Sequence, residues 1–200
     1  MNTLEVIHER HVKGRRVQVL AEMLAQMLPD EGLILDIGSG DGALDAELMR
    51  RKPGLKIDGI DTLVRPGTAI PTRAFDGSHI EVPDRTYDWC LFVDVLHHAD
   101  EPEALLQEAA RVSKNGIILK DHLREGLFAR STLRFMDRVH NARYGVSLPY
   151  CYWSLSEWRK NIAAVGLTQE VWYDRLKLYP WWANWVFGRG LHVLARLRKA

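Results

Sequence analysis

The sequence predicts one α/β domain with a doubly wound, mostly parallel sheet, helices on both of its faces and an antiparallel strand pair at its C-terminal end. Three observations support this fold class. The chain has 200 residues, enough for one domain with a sizeable core. Short apolar runs alternate with helical periodicity over the first two thirds of the chain. The last two apolar runs are joined by a link too short for a crossover helix, so they are expected to pair antiparallel.

The first element is a helix, because apolar residues recur at three- and four-residue steps from Val17 to Leu28, and Pro29 ends it. Short apolar runs closed by glycine or acidic residues predict strands at Leu33–Ile37, Leu55–Ile60, Arg73–Phe75, Tyr87–Val95 and Gly116–Lys120. The segments between them with helical character are Ala43–Arg51 and Glu101–Ser113.

The last third begins with two helices, Leu123–Arg143 and one that Ser154 or Ser156 caps and that runs through Ala164. The strands Leu167–Leu178 and Leu191–Leu197 follow. Residues 1–200 are therefore interpreted as one domain, with an N-terminal helical segment at 1–28 and a helical insert at 121–165.

Composition restricts the function classes. Lys and Arg number 27 and Asp and Glu 26, so the chain lacks the basic character of a duplex nucleic-acid binder, and no nucleic-acid partner is expected. Its two cysteines form neither a disulfide framework nor a zinc motif. The charged start and the absence of a long apolar run predict no signal peptide and no membrane span, which favours a cytoplasmic enzyme.

The most specific motif is the glycine-rich segment Leu35–Gly42, at the end of the first strand and the start of a helix. Glycines allow positive φ and close approach of the backbone to a ligand. Free N–H groups at a helix N-terminus attract polar or anionic groups. The segment is therefore predicted to bind a cofactor rather than to form a plain turn.

Two cofactor classes fit this loop. Gly38, Gly40 and Ala43 satisfy the dinucleotide pattern G-x-G-x-x-A. Asp36 opposes it, because its carboxylate would repel a pyrophosphate and suits a cationic ligand instead. Asp61 ends the second strand, where an acid binds the ribose hydroxyls of either cofactor.

Together these residues resemble class I S-adenosylmethionine-dependent methyltransferases with a Rossmann-like fold, in particular the small-molecule group with a single short domain. Asp36, Gly38, Gly40 and Gly42 match the family's D-x-G-x-G-x-G loop. Further matches are Asp61, the segment 75–77, the segment 93–98 and the segment 109–116, in which Asn115 replaces a commoner proline. The resemblance covers about residues 33–120, and the antiparallel C-terminal pair fits the family's seven-stranded sheet.

The resemblance implies that the chain binds S-adenosyl-L-methionine and transfers its methyl group to an O, N or C atom of a small molecule. The glycine loop would hold the methionine part, Asp36 the ammonium, Asp61 the ribose, and Asp76 with the Gly77 N–H the adenine. The implied cofactor-binding residues are Asp36, Ile37, Gly38, Ser39, Gly40, Gly42, Asp61, Thr62, Phe75, Asp76, Gly77, Val93 and Asp94.

Candidate general bases are His97, His98 and His122, which lie near carboxyl ends of strands, where open sheets bind ligands. Packing or helix capping would explain the His97–His98 pair equally well. No metal site is predicted, because adjacent histidines rarely point the same way and no third ligand is suitably spaced. A magnesium variant through Asp94 and Asp121 remains as a minor alternative.

The acceptor is expected to contact the N-terminal segment and the insert, with Tyr144, Tyr150 and Trp153 as candidate substrate residues. Arg130, Arg134 and Arg138 recur every four residues, with Phe128 and Phe135 on another helix face. An aromatic or anionic acceptor would suit such a pocket, although a solvated basic face would give the same pattern. Trp181, Trp182 and Trp185 near the basic C-terminus leave peripheral membrane contact open.

Two rival functions remain. A nicotinamide-dependent oxidoreductase would use the same glycine loop. A protein with a methyltransferase fold could also bind a cofactor or a partner without turnover, because fold does not imply function.

Overall fold

The computed structural model describes residues 17–141, 149–176, 178 and 190–200. Its strands are β1 (Glu31–Ile37), β2 (Gly54–Asp61), β3 (Thr72–Ala74), β4 (Tyr87–Val93), β5 (Ser113–His122), β6 (Leu167–Tyr173) and β7 (His192–Lys199). Its helices are α1, described over residues 17–25, α2 (Ala43–Arg51), α3 (Pro102–Val112), α4 (Ala129–Asn141) and α5 (Leu155–Ala164). A single 3₁₀ turn, Leu96–His98, follows β4.

The strands form one seven-stranded sheet in the order β3-β2-β1-β4-β5-β7-β6. Strands β1 to β5 pair in parallel, whereas β7 lies antiparallel between β5 and β6. The predicted fold class is therefore confirmed. The strand order reverses between β1 and β4, so their carboxyl ends open a crevice of the kind in which open α/β sheets bind ligands.

Two hydrophobic clusters cover the faces of the sheet, because successive strand residues point to opposite sides. Ile34, Leu91 and Ile118 belong to the cluster that also contains residues of α1 and α2. Their strand neighbours Leu35 and Phe92 belong to the cluster built with α3 and α5. Helices thus pack on both faces, as predicted.

Strand lengths differ from the prediction in the middle of the sheet. Strand β4 ends at Val93 rather than Val95, because Asp94 takes a left-handed conformation with φ 59°. Strand β5 extends over Ser113–His122, since Asp121 and His122 still pair with Val193 and His192 of β7. Hydrogen-bonding partners on the neighbouring strand, rather than the apolar run alone, set these lengths.

The insert also differs from the prediction. Helix α4 begins at Ala129, not at Leu123. The N–H of Leu123 donates to the carbonyl of Leu191, and the N–H of Arg124 donates to the carbonyl of Trp153. These bonds tie the segment after β5 to distant chain segments and keep it out of the helix. Strand β6 likewise stops at Tyr173, short of the predicted Leu178.

Candidate active site

The glycine loop after β1 folds over the end of β2. The N–H of Gly38 donates to the carbonyl of Ile60 at 2.7 Å, and the N–H of Gly40 donates to Asp61 Oδ2 at 2.8 Å. Gly40 has φ +61°, and a Cβ atom there would meet no atom of the described residues within 4 Å. The loop therefore leaves open space beside its backbone, into which a ligand can fit.

Two buried carboxyl groups lie at the base of this loop. Asp36 is 3% exposed and Asp45 0% exposed. Within the described part of the chain, Asp36 Oδ1 and both carboxyl oxygens of Asp45 have no hydrogen-bond partner. Burial, and next the charge of Asp45, raise the pKa of Asp36 well above its usual range. Burial raises the pKa of Asp45 to about 7. An unsatisfied buried oxygen on Asp36 suits a cationic ligand group.

The predicted nucleoside-binding residues lie on the adjacent loops. The Asp61 carboxylate accepts hydrogen bonds from the N–H groups of both Gly40 and Leu63. The N–H of Phe75 donates to the backbone carbonyl of Asp61. A Cβ atom on Gly77 would lie 3.2 Å from the Thr62 side chain. The sheet therefore brings the segments 38–42, 61–63 and 75–77 together, as the resemblance implies.

Asp76 shapes its own loop through its Oδ1 atom. It accepts hydrogen bonds from the N–H groups of Ser78 and His79, each at 2.7 Å. The N–H of His79, followed by that of Ser78, lowers the pKa of Asp76. The carboxyl group is therefore ionised at neutral pH and acts as an acceptor, which suits a donor such as an amino group.

Beyond β4, Asp94 forms an ion pair with the buried Lys120 of β5. Asp121 accepts hydrogen bonds from the N–H groups of Leu96 and His122 and contacts His97 Nδ1 at 2.6 Å. Both carboxylates of the magnesium alternative are thus engaged by groups of the protein itself. This arrangement disfavours that alternative.

The three candidate bases lie side by side, with His97 and His98 in the 3₁₀ turn after β4 and His122 at the end of β5. His97 and His122 are buried and His98 is half-buried. Burial lowers the pKa of His97, but Asp121 and Asp137 outweigh burial and raise it to about 10. Burial and then the charge of His97 lower the pKa of His98 to about 4 and also lower that of His122. Their catalytic role remains a prediction.

Asp137 joins this group from helix α4 and was not identified from the sequence. Its Oδ1 lies 3.4 Å from His122 Nε2, and its Oδ2 lies 3.6 Å from His97 Nε2 and accepts a hydrogen bond from the Tyr152 hydroxyl. Burial opposes ionisation, but His122 and His97 hold the pKa of Asp137 far below its usual range. The sequence signal that could have identified Asp137 is the four-residue spacing of Ala129, Leu133 and Asp137, which places the acid on the same helix face as the two apolar residues. In the structure all three side chains are buried.

A cavity of about 400 Å³ lies beside this cluster, between the start of α3 and the insert. Its lining includes Tyr150 and Trp153, both predicted substrate residues, and Arg130. Tyr144 lies outside the described residues, as do Trp181, Trp182 and Trp185. Phe128 and Phe135 are 66% and 58% exposed, so the aromatic face expected on the insert faces solvent and does not line the cavity.

No helix among the described residues is both long and apolar enough to cross a membrane.

Comparisons with known proteins identify the family of the chain. The sequence-family model described as "Methyltransferase domain" matches residues 8–170. Among curated proteins, no sequence matches significantly.

Solved structures of methyltransferases share the fold. One similar structure is an S-adenosylmethionine-dependent methyltransferase from Mesorhizobium loti, with 15% identity and a TM-score of 0.68 over 92% of this chain and 100% of that chain. Another is a SAM-dependent methyltransferase from Thermotoga maritima, with 20% identity and a TM-score of 0.66 over 98% of this chain and 95% of that chain.

Proposed function

The chain belongs to the methyltransferase-domain family, and on that premise we propose that it transfers the methyl group of S-adenosyl-L-methionine to an O, N or C nucleophile of a small molecule. The observation that carries this proposal is the pairing of an open glycine loop with a buried, unsatisfied carboxyl oxygen on Asp36. A loop built for a pyrophosphate would be opposed by that carboxyl group, whereas an ammonium group would satisfy it.

The residues present fit the cofactor. Asp36 would accept hydrogen bonds from the ammonium group, and the backbone of Gly38 and Gly40 would border the methionine part. Asp61 would hold the ribose, and Asp76 with the Gly77 N–H would hold the adenine. When bound, the cofactor supplies a methyl group on an already activated sulfonium. The task of the protein is then to position the acceptor.

We assign the acceptor to the cavity beside the histidine cluster. Tyr150 and Trp153 give it aromatic walls. Its charged lining is balanced, with Arg124 and Arg130 opposite in charge to Asp100 and Glu103. The aromatic walls favour an aromatic small molecule, and the guanidinium groups would bind an anionic substituent on it. The backbone connects cavity and crevice, because the N–H of Cys151 donates to the carbonyl of His97 at 3.2 Å.

Calorimetric titration tests the cofactor. S-Adenosylhomocysteine and NADH are titrated separately into the protein and into Gly40→Ala. The added methyl group at Gly40 meets no atom of the residues that the structure describes, so its effect is to reduce the space left for a ligand. We expect the homocysteine compound to bind and NADH not to bind. In Gly40→Ala we expect at least about a tenfold loss of affinity, equivalent to ~1.4 kcal/mol.

Gly166→Ala is the matched control. Gly166 also has a left-handed φ, +71°, and a Cβ atom there would have no described neighbour within 4 Å. It lies between α5 and β6, away from the predicted cofactor loops. Both variants carry a similar backbone strain, roughly 1–2 kcal/mol, but Gly166→Ala should bind the homocysteine compound normally. Binding of NADH in its place would overturn the proposal.

A further inference from the structure

We propose that His97, His98 and Asp137 form a binding site for a divalent transition-metal ion of the zinc type. Methyl transfer as proposed above does not require it. The ligand atoms of the three residues all lie within 4.8 Å of one another. The site joins the 3₁₀ turn after β4 to helix α4 of the insert.

The spacing of the donor atoms fits a shared cation. His97 Nε2 and Asp137 Oδ2 are 3.6 Å apart, which is too long for a good hydrogen bond. Two ligands of a tetrahedral zinc ion with bonds of ~2.0–2.1 Å lie roughly 3.3 Å apart. His98 follows His97 in the same turn, and their ring centroids are 3.9 Å apart. A small shift of these side chains would therefore bring three donors onto one ion.

Neighbouring groups orient two of the ligands. Asp121 binds His97 Nδ1 at 2.6 Å, which turns Nε2 toward Asp137. This is the carboxylate–histidine–metal arrangement found around protein metal ions. The Tyr152 hydroxyl donates to the Asp137 carboxylate and fixes it in the same way. These supporting contacts distinguish the cluster from a chance meeting of polar side chains.

The balance of charge also favours a dication. Asp121 and Asp137 are both buried, at 1% and 4% exposure. In the metal-bound form the imidazoles are neutral, because a nitrogen that binds a metal has lost its proton. The two carboxylates then carry two negative charges, and buried charge is costly unless it is compensated. One divalent ion neutralises both. Imidazole nitrogens with one carboxylate oxygen suit zinc, cobalt, nickel or iron(II), whereas magnesium prefers oxygen ligands alone.

Metal titration of the untagged, chelator-treated full chain tests the site. Zn²⁺ and Co²⁺ are added, bound metal is counted by mass spectrometry after desalting, and the cobalt form is followed by visible absorption. We expect one equivalent of tightly bound metal. Zinc at a hundredfold excess over its Kd should raise the Tm by about 5–10 °C, because it binds the folded chain alone.

His98→Ala and Asp137→Asn should each weaken binding at least tenfold, so at the same zinc concentration the rise in Tm should fall to about half or less. His79→Ala is the control, because His79 is an exposed histidine whose contact is with Glu108. It should bind metal normally. Failure of the unaltered chain to hold one equivalent would overturn the proposal, as would undiminished binding in both ligand variants. Neither cofactor nor acceptor is present, so the outcome is independent of the proposed methyl transfer.

Discussion

At the scale of single residues, Asp36 and Asp45 are buried carboxyl groups that the stability of the fold alone does not explain. A buried carboxyl group without a donor destabilises a fold, and an apolar residue of similar size would avoid that cost. Asp36 nevertheless lies beneath the open glycine loop with one oxygen unsatisfied in the described part of the chain. A cationic group bound at the loop would satisfy it, so the cost in the unbound protein can be recovered on binding.

Asp45 makes this cost measurable as a pH dependence. Its pKa rises from 3.8 to about 7 on burial, so the folded protein favours the protonated form. The stability that this group contributes is fully present below about pH 4 and is lost as the pH rises through 7. Asp45→Asn cannot ionise. The difference in free energy of unfolding between Asp45→Asn and the wild type should therefore shift in favour of the variant between pH 4 and pH 8, by at most about 4 kcal/mol.

Thermal unfolding of both proteins across this pH range checks the prediction. Asp174→Asn serves as the control, because Asp174 follows β6 with its side chain exposed. Its unfolding profile should run parallel to that of the wild type. Parallel profiles for Asp45→Asn as well would show that Asp45 does not titrate in the folded state.

At the scale of one element, helix α5 begins with a complete capping box. The Ser154 side chain accepts from the N–H of Glu157, and Glu157 Oε2 accepts from the N–H of Ser154 at 2.7 Å. Arg124 contacts the same oxygen at 2.7 Å, so the cap also ties the chain after β5 to α5. The cap thus helps to hold one wall of the cavity in place.

Ser154→Ala should lower the stability by about 1 kcal/mol, because an N-cap hydroxyl that satisfies a free helix N–H is lost. For a domain of this length that corresponds to a fall in Tm of roughly 2–4 °C, measured by circular dichroism. Ser156→Ala, two positions into the same turn and exposed, should change the Tm far less. Equal effects of the two substitutions would argue against the cap as the cause.

The antiparallel docking of β7 depends on Gly116 in β5. Gly116 has φ +148°, and a Cβ atom there would collide with the carbonyl oxygen of Leu197 in β7. We expect Gly116→Ala to destabilise the protein by about 4 kcal/mol or more, among the largest effects of a single methyl group. Urea unfolding measures it. Gly126→Ala is the control, because Gly126 has φ +88° and a Cβ atom there would have no neighbour within 4 Å in the described part of the chain. It should cost about 1–2 kcal/mol.

At the scale of the whole molecule, sequence periodicity predicted the order in which helices and strands follow one another along the chain, but not every boundary of these elements. Strands β1 and β2 and helix α2 follow from local patterns, because an apolar run or a glycine marks each end. The length of β5 depends on its partners in β7, which lie more than 60 residues away in the sequence. The start of α4 depends on bonds from Leu123 and Arg124 to distant carbonyls.

The same limit applies to the site. The glycine loop is contiguous in sequence, so its motif predicted which segments the sheet brings together. The histidine cluster is not contiguous, because Asp137 lies 40 residues beyond His97 and reaches it only when α4 packs over the end of the sheet. No spacing rule could connect these two residues before the fold was known. A buried acid on an otherwise apolar helix stripe was the available clue.

The proposed function also predicts where a bound ligand should protect the backbone. The crevice opens at the carboxyl ends of β1, β2 and β4. Strands β7 and β6 lie beyond β5, at the far edge of the sheet. S-Adenosylhomocysteine should therefore slow amide hydrogen exchange in the loops 38–42, 61–63 and 75–79. Exchange in Leu167–Tyr173 should stay unchanged. NADH, and the homocysteine compound added to Gly40→Ala, should produce little protection. Protection concentrated in β6 would instead locate the ligand outside the crevice and contradict the assignment of Asp36 and Asp61 as cofactor residues.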